Sequence, residues 1–374
     1  MTGGLLAQAT PALQALTAYD PGHDLPALRR RFGGGGAIGG LIELGSNENA
    51  WGPSPRVLSA LANAAATEVW RYPDPLATDL RGRLAEAHGV NADQLVLGNG
   101  SHELLMQLAQ IFCAPGDEVL VSRYAFAVYP IAAKAVGASV VVADAWPAQH
   151  LMSRGHDLEA MLAKLSPRTR LICLANPNNP TGTWVSTAAL AAFLERIPKS
   201  IPVVVDEAYM EFADAPGLTS ALGLRQSFQN LIVTRTFSKA YGLAGLRIGY
   251  AIAAADVIVL VNRLRESFNV NALALLAATA ALADDEHLQR GVTQVRAERE
   301  RVAAILRGRG LHVGPSQGNF LLIDFADEAA PIETALLQQG VVVRPMLAYG
   351  LPQCLRVTLA SRAENDRFLQ ALTL

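Results

Sequence analysis

Leu231-Ile232-Val233-Thr234-Arg235-Thr236-Phe237-Ser238-Lys239-Ala240-Tyr241-Gly242-Leu243-Ala244-Gly245-Leu246-Arg247-Ile248-Gly249 opens as a short apolar, β-branched run and passes into hydroxyls, a lysine, three glycines and an arginine. The run has the length and character of a strand buried on both faces, closed by turn residues. Comparable runs occupy 94–97, 118–122, 139–143, 170–174, 203–206 and 249–252, and stretches with helical spacing, such as 103–111 and 187–196, lie between most of them. Apolar strands alternating with helices predict an α/β fold, a three-layer arrangement in which helices cover both faces of a mostly parallel sheet. In such sheets ligands bind beyond the carboxyl ends of the strands, so the residues that follow each run are the first candidates for a site.

Outside this region the pattern changes. A long charged helix is expected over 284–309 with Gly310 as its stop, followed by strand-like 320–325, 341–343 and 355–359 and a last helix from Glu364. The first fifty residues carry the run Gly33-Gly34-Gly35-Gly36 and the segment Asn47-Glu48-Asn49-Ala50-Trp51-Gly52-Pro53-Ser54-Pro55, which read as an arm or lid leading into a helix near Ser54-Pro55. The expected division is 1–54 as arm and part of a small domain, 55–283 as a large domain, and 284–374 as the rest of the small one.

The 374 residues are 51% hydrophobic and 17% charged, enough to bury a large core and to exclude general disorder. The net charge of −2 lacks the basic excess expected of a nucleic-acid binder. Cys113, Cys173 and Cys354 are far apart and odd in number, which suggests a reducing compartment without a disulfide framework, and no cysteine or histidine spacing fits zinc. The N-terminus has no signal-peptide pattern. The longest apolar stretch, 270–283, is short of the roughly 20 residues a membrane span needs. A cytoplasmic protein that takes neither membrane nor nucleic acid as partner is expected. Of the 31 basic residues only four are lysines (Lys134, Lys164, Lys199, Lys239), so a lysine kept inside a special local pattern stands out.

Four strand ends carry unusual polar residues. Gly98-Asn99-Gly100-Ser101-His102-Glu103 puts a glycine turn at a helix start, where amides and the helix dipole suit a phosphate, although a plain turn with Ser101 as cap has the same sequence. Asn176-Pro177-Asn178-Asn179-Pro180-Thr181-Gly182 is a loop whose path is fixed by its prolines, and it can aim an asparagine amide or serve only as a rigid turn. Asp206-Glu207-Ala208-Tyr209 places a carboxylate at the end of an apolar run, where it needs a cation or donor; a structural ion pair is the other possibility. Ser238-Lys239 with Arg247 is the fourth, the alternative being an ordinary exposed lysine.

Together these residues match the needs of one cofactor. An aldehyde with a pyridine ring and a phosphate requires an amine to condense with, an anion at its ring nitrogen, donors for its ring oxygen and a phosphate cradle. Lys239, then Asp206, then Tyr209 with Asn179, then Gly100-Ser101 with Ser238 and Arg247 answer those needs in order. Metal ligation has no place in this set.

With these motifs, and with Tyr19-Asp20-Pro21-Gly22, Ser46-Asn47-Glu48-Asn49, Arg71-Tyr72-Pro73-Asp74 and Leu355-Arg356-Val357-Thr358, the chain resembles the fold-type I pyridoxal-phosphate aminotransferases, and among them the histidinol-phosphate aminotransferase family, over nearly its whole length. The resemblance implies pyridoxal 5'-phosphate as cofactor and Lys239 as the residue that condenses with it and shuttles the substrate proton. It implies Asp206 at the ring nitrogen, Tyr209 and Asn179 at the ring oxygen, Phe126 stacked on the ring, and Thr236, Ser238, Arg247, Gly100 and Ser101 at the phosphate. Tyr72 would reach the cofactor of a neighbouring subunit, making a homodimer with shared sites. Arg356 would take a substrate carboxylate or phosphate, with Arg344, Tyr19 and Asn47 nearby in the substrate site. The partners are then an amino donor and a 2-oxo acid, histidinol phosphate and the 2-oxoglutarate/glutamate pair. Trp51 and Phe126 could turn the pocket toward an aromatic amino acid, which keeps an aromatic aminotransferase open as the alternative. A decarboxylase on the same cofactor would release carbon dioxide without an oxo-acid acceptor. His102, where an acidic residue is usual, is expected on the helix surface.

Overall fold

The computed structural model describes residues 4–20, 22–32, 40–64 and 66–373, so the expected glycine run at 33–36 lies outside the described residues. The strands are β1 (Ile42–Glu43), β2 (Leu95–Gly98), β3 (Glu118–Ser122), β4 (Ser139–Ala143), β5 (Thr169–Ala175), β6 (Val203–Asp206), β7 (Leu231–Thr236), β8 (Gly249–Ile252), β9 (His312–Val313), β10 (Phe320–Asp324), β11 (Val341–Val342), β12 (Arg344–Pro345) and β13 (Cys354–Thr358).

Seven of these form one sheet in the order β2-β8-β7-β6-β5-β3-β4. β3 to β7 pair in parallel, whereas β8 runs antiparallel to both of its neighbours, β2 and β7. Central strands such as Val203-Val204-Val205 have no exposed surface, as expected of a sheet covered on both faces. Two apolar clusters lie on the two sides. One includes Leu97, Ile172, Val203, Val205 and Phe237, and the other Val96, Val121, Leu171, Val204 and Ile232, alternate residues of the same strands.

The smaller unit is a four-stranded antiparallel sheet, β12-β13-β10-β9, beside a parallel pair, β1-β11. The pair ties Ile42 and Glu43 to Val341 and Val342, so residues just before the large sheet complete the C-terminal core, where Ile42 and Leu44 pack with Leu321, Leu336, Leu355 and Phe368. The long helix Asp285–Gly308 joins the units. It is capped by the Asp284 carboxylate, which accepts from the His287 amide, and it carries Asp285 and Glu286 in its first turn and Arg307 in its last, each favourable to the helix dipole.

Within the segment expected to be an arm and part of a small domain, Leu25–Phe32 is a helix and Ile42–Glu43 a strand, neither of them marked out by the sequence pattern. The strand at 249–252 is present as expected, and it is the one strand that runs antiparallel in a sheet that is otherwise parallel, as a mostly parallel sheet allows; a strand buried on both faces is an apolar run whichever way it points. Among the described residues no helix is long and apolar enough to cross a membrane.

Candidate active site

The parallel register decides where the chemistry meets. Ala175 pairs with Asp206, and Asp206 with Thr234, so β5, β6 and β7 end side by side and release Asn179, Asp206 and Lys239 at one edge. Because β8 is antiparallel to both neighbours, β2 points the same way as β7 and delivers Gly100 and Ser101 to that edge as well. Gly249, the first residue of β8, permits the crowding. A Cβ there would stand 2.6 Å from the Ser101 amide nitrogen and 2.8 Å from the Arg235 carbonyl oxygen.

A cavity of about 260 Å³ opens at this edge, lined by Ser101, Phe126, Asn179, Asp206, Tyr209, Thr236, Ser238, Lys239 and Arg247 from the large sheet, and by Arg356, Arg344, Asn47 and Tyr19 from the smaller unit and arm. Lys239 is partly buried, and its Nζ donates to the Ser46 carbonyl at 3.0 Å. Burial, reinforced by Arg356 and Arg247, brings its amine down to about 8. The other three lysines are exposed.

Asp206 is buried, with Oδ2 accepting from the Tyr129 hydroxyl at 3.0 Å and Oδ1 from the Ala208 amide at 3.2 Å. Burial pushes its carboxyl up to about 6, against the pull of those donors. The Tyr209 hydroxyl accepts from Asn47 Nδ2 at 2.9 Å, and burial pushes it up to about 12, opposed by Arg356 and by the Asn47 bond. Asn179 offers Oδ1 to Arg356 Nη1 at 2.6 Å, leaving its amide nitrogen to donate toward the cavity.

At the other end, Gly100 opens the helix Gly100–Phe112 with φ +71°, and a Cβ there would lie 2.7 Å from Arg247 Nη2. Arg247 Nη1 donates to Ser238 Oγ at 3.2 Å, and Thr236 Oγ1 accepts from the Ser238 amide at 3.1 Å. Helix amides, two hydroxyls and a guanidinium thus converge on a space that any side chain at position 100 would fill, a built anion cradle. Arg356 is buried, with Nη2 on the Gly45 carbonyl, Nε without a partner, and no carboxylate among its bonds. An unpaired buried guanidinium is costly unless an anion arrives.

The described residues fit a pyridine aldehyde phosphate. An amine that is easily neutralised, an acid lacking a cation, two donors from the ends of neighbouring strands and an anion cradle surround one cavity. Among the described residues no group of three histidine, cysteine, aspartate or glutamate side chains is placed to hold a metal ion.

Some sequence expectations fall elsewhere. Tyr72, expected at a neighbouring subunit's cofactor and not in its own chain's cavity, is 82% exposed and stacks on Phe268 at 4.7 Å. Trp51 packs on the cluster of Tyr209, Phe212 and Phe320 instead of shaping the cavity. His102 is not a surface residue of its helix: it lines the cavity, with Tyr19 edge-on at 6.4 Å. Arg344 lines the cavity but is engaged by the arm, donating to the Asp20 carbonyl at 2.6 Å. Sequence reasoning missed Tyr129, Tyr349 and Phe320. Tyr129 was legible as a polar group on an apolar helix; the Phe320 ring, edge-on to Tyr209 at 5.1 Å and beneath the Arg356 guanidinium at 5.5 Å, gave no signal apart from its strand.

Comparison with known proteins agrees with this geometry. The family described as aminotransferase class I and II matches residues 40–372. Histidinol-phosphate aminotransferase 2 of Pseudomonas fluorescens is 46% identical over 374 residues, covering 100% of this chain and 98% of the relative. Histidinol-phosphate aminotransferase 1 of Mannheimia succiniciproducens is 42% identical over 98% of this chain and 97% of its own length. The crystal structure of histidinol-phosphate aminotransferase from Sinorhizobium meliloti in complex with pyridoxal-5'-phosphate superposes with a TM-score of 0.85 at 30% identity, covering 98% of this chain and 96% of that one.

Proposed function

Starting from the class I and II aminotransferase family, to which this chain belongs, we propose that it transfers an amino group between histidinol phosphate and the 2-oxoglutarate/glutamate pair, using pyridoxal 5'-phosphate. The observation that carries the reading is the meeting of Lys239, Asp206, Tyr209 and Asn179 with the Gly100-Ser101 cradle in one cavity. When bound, pyridoxal phosphate supplies an aldehyde that condenses with amines and a ring that withdraws electrons from the adjoining carbon.

The residues divide the remaining work. Asp206 holds a positive ring nitrogen, which restores charge to a carboxyl that burial otherwise protonates near pH 6. Tyr209 and Asn179 donate to the ring oxygen, and Phe126 covers the ring face. Gly100, Ser101, Thr236, Ser238 and Arg247 take the phosphate. Lys239, with its amine near 8, is uncharged often enough at neutral pH to accept a proton from the substrate α-carbon and return it across the cavity. Arg356 binds a carboxylate or phosphate of either substrate, since its planar fork stays charged and suits both. Arg344, Tyr19 and Asn47 complete the substrate side.

We read the active unit as a homodimer. Val69, Trp70, Tyr72 and Leu76 are all more than half exposed, an apolar patch that a second copy would cover, with Tyr72 directed to the partner's phosphate. We place the cofactor in a large domain of residues 55–283, with 1–54 and 284–374 closing over it. A cytoplasmic location is supported by Cys113, Cys173 and Cys354, all free and buried.

The substrate is tested by kcat/KM with imidazole-acetol phosphate against phenylpyruvate, each with glutamate. The first should win; a tenfold or greater preference for phenylpyruvate makes the protein an aromatic aminotransferase. The chemistry is tested by Lys239→Ala, which should fold, lose borohydride bleaching of the yellow protein, and lose turnover by about four orders of magnitude or more. A variant with near-normal transaminase rate would refute the mechanism.

A further inference from the structure

The segment between the long helix and β10 lies outside the cavity yet touches three of the loops that build it. Gln317 is buried there. Its backbone amide donates to the Gly182 carbonyl at 2.9 Å, and its side-chain Oε1 accepts from the amides of Asp214 at 2.6 Å and Ala215 at 2.9 Å. Gly182 closes the loop that presents Asn179: its amide donates to the Asn178 carbonyl at 2.8 Å, and at φ +76° a Cβ would stand 2.5 Å from Ser316 Oγ. Asp214 and Ala215 end the loop that begins at Asp206 and Tyr209. That loop is also held by Arg299, which donates to the Phe212 carbonyl at 3.1 Å and to Asp214 Oδ1 at 2.6 Å. Two residues along, Asn319 Nδ2 reaches the carbonyls of Asn47 at 3.2 Å and Glu48 at 3.3 Å.

Asn179 and Tyr209 leave the sheet on different strands, and one residue of the smaller unit ties their two loops together. We propose that Gln317 is a positioning residue that fixes the Asn179 amide relative to the Tyr209 hydroxyl, and so sets how the ring oxygen of the cofactor is held. This rests on the reading that those two groups donate to that oxygen. The acceptor of Gln317 matters because it satisfies two backbone N–H groups at once, and a side chain of equal length without it would release the loop at 207–215. Water can reach the exposed Asp214 and replace the lost bonds, so the loss falls on position more than on folding.

The test compares holoenzyme of Gln317→Met, Gln317→Glu and the parent. Donors on the ring oxygen draw off negative charge that would otherwise hold a proton on the neighbouring nitrogen, so loosening them raises the pH midpoint of the visible absorbance of the bound cofactor. Gln317→Met should raise that midpoint by about half a unit or more and lower kcat several-fold, while Gln317→Glu, which keeps an acceptor, stays at the parent midpoint. An unchanged midpoint in Gln317→Met, or an equal shift in Gln317→Glu, overturns the proposal. Should Gln317→Met not fold, Gln317→Asn, whose acceptor is withdrawn by one carbon, must shift the midpoint in the same direction or the proposal fails. A parent protein that shows no cofactor absorbance at all instead removes the pyridoxal-phosphate reading, and this inference with it.

Discussion

Asp206 and Glu207 are neighbouring buried carboxylates with opposite fates. Glu207 turns away from the cavity and is fully paired, accepting from Arg235 Nη2 at 2.7 Å, Ser220 Oγ at 2.7 Å and the Ala221 amide at 2.5 Å. Asp206 faces the cavity with neutral donors alone, and burial pushes its pKa up to about 6, making it a weaker acid. Because this value lies above that of an unfolded aspartate, the folded chain binds the extra proton between about pH 4 and 6, and its stability falls as pH rises through that window. Cofactor-free Asp206→Asn should therefore resist denaturant better than the cofactor-free parent near pH 7.5, by about 1–3 kcal/mol, with the gap closing toward pH 4. Equal unfolding midpoints near pH 7.5 would show that Asp206 carries no such burden. The sequence places both acids at the end of β6 and picks out the first by its partnership with Lys239 and Tyr209. It could not show that the second would meet Arg235, a contact made between strands.

At the scale of elements, the site depends on one strand that runs against the rest. β8 lies between β2 and β7, and this reversal brings the Gly100-Ser101 helix start to the edge that holds Lys239. Gly249→Ala would force a methyl within 3 Å of three backbone atoms that cannot swing aside. The expected cost is about 1–3 kcal/mol of stability by chemical denaturation, with weaker pyridoxal-phosphate binding in a fluorescence titration. A variant that loses stability but binds the cofactor as before would separate the strand from the cradle. The apolar runs, the glycine turn and the helix 187–196 were legible because period, length and turn chemistry are local. The helix Leu25–Phe32 and the direction of β8 were not, since neither is fixed by its own residues.

For the whole molecule, the exposed apolar patch around Trp70 and Tyr72 carries the prediction. Chains with Lys239→Ala and chains with Tyr72→Ala should each be nearly inactive alone. Unfolded and refolded together, they should regain on the order of a quarter of parental activity, because a mixed dimer with shared sites rebuilds one intact site of two. No recovery in a mixture shown by sedimentation to contain mixed dimers would place Tyr72 in its own chain's site or in none.

The chain's sequence by itself determined the α/β class, the four strand-end loops, and the set of amine, acid, donors and phosphate cradle, because chemistry of this kind needs particular residue types next to particular turns. Only the tertiary structure decided that β8 is reversed, that His102 faces the cavity, that Arg344 is spent on Asp20, and that Gln317 joins two loops. Those facts rest on contacts between residues far apart in the chain, and a side chain's own type says nothing about which distant backbone it will meet.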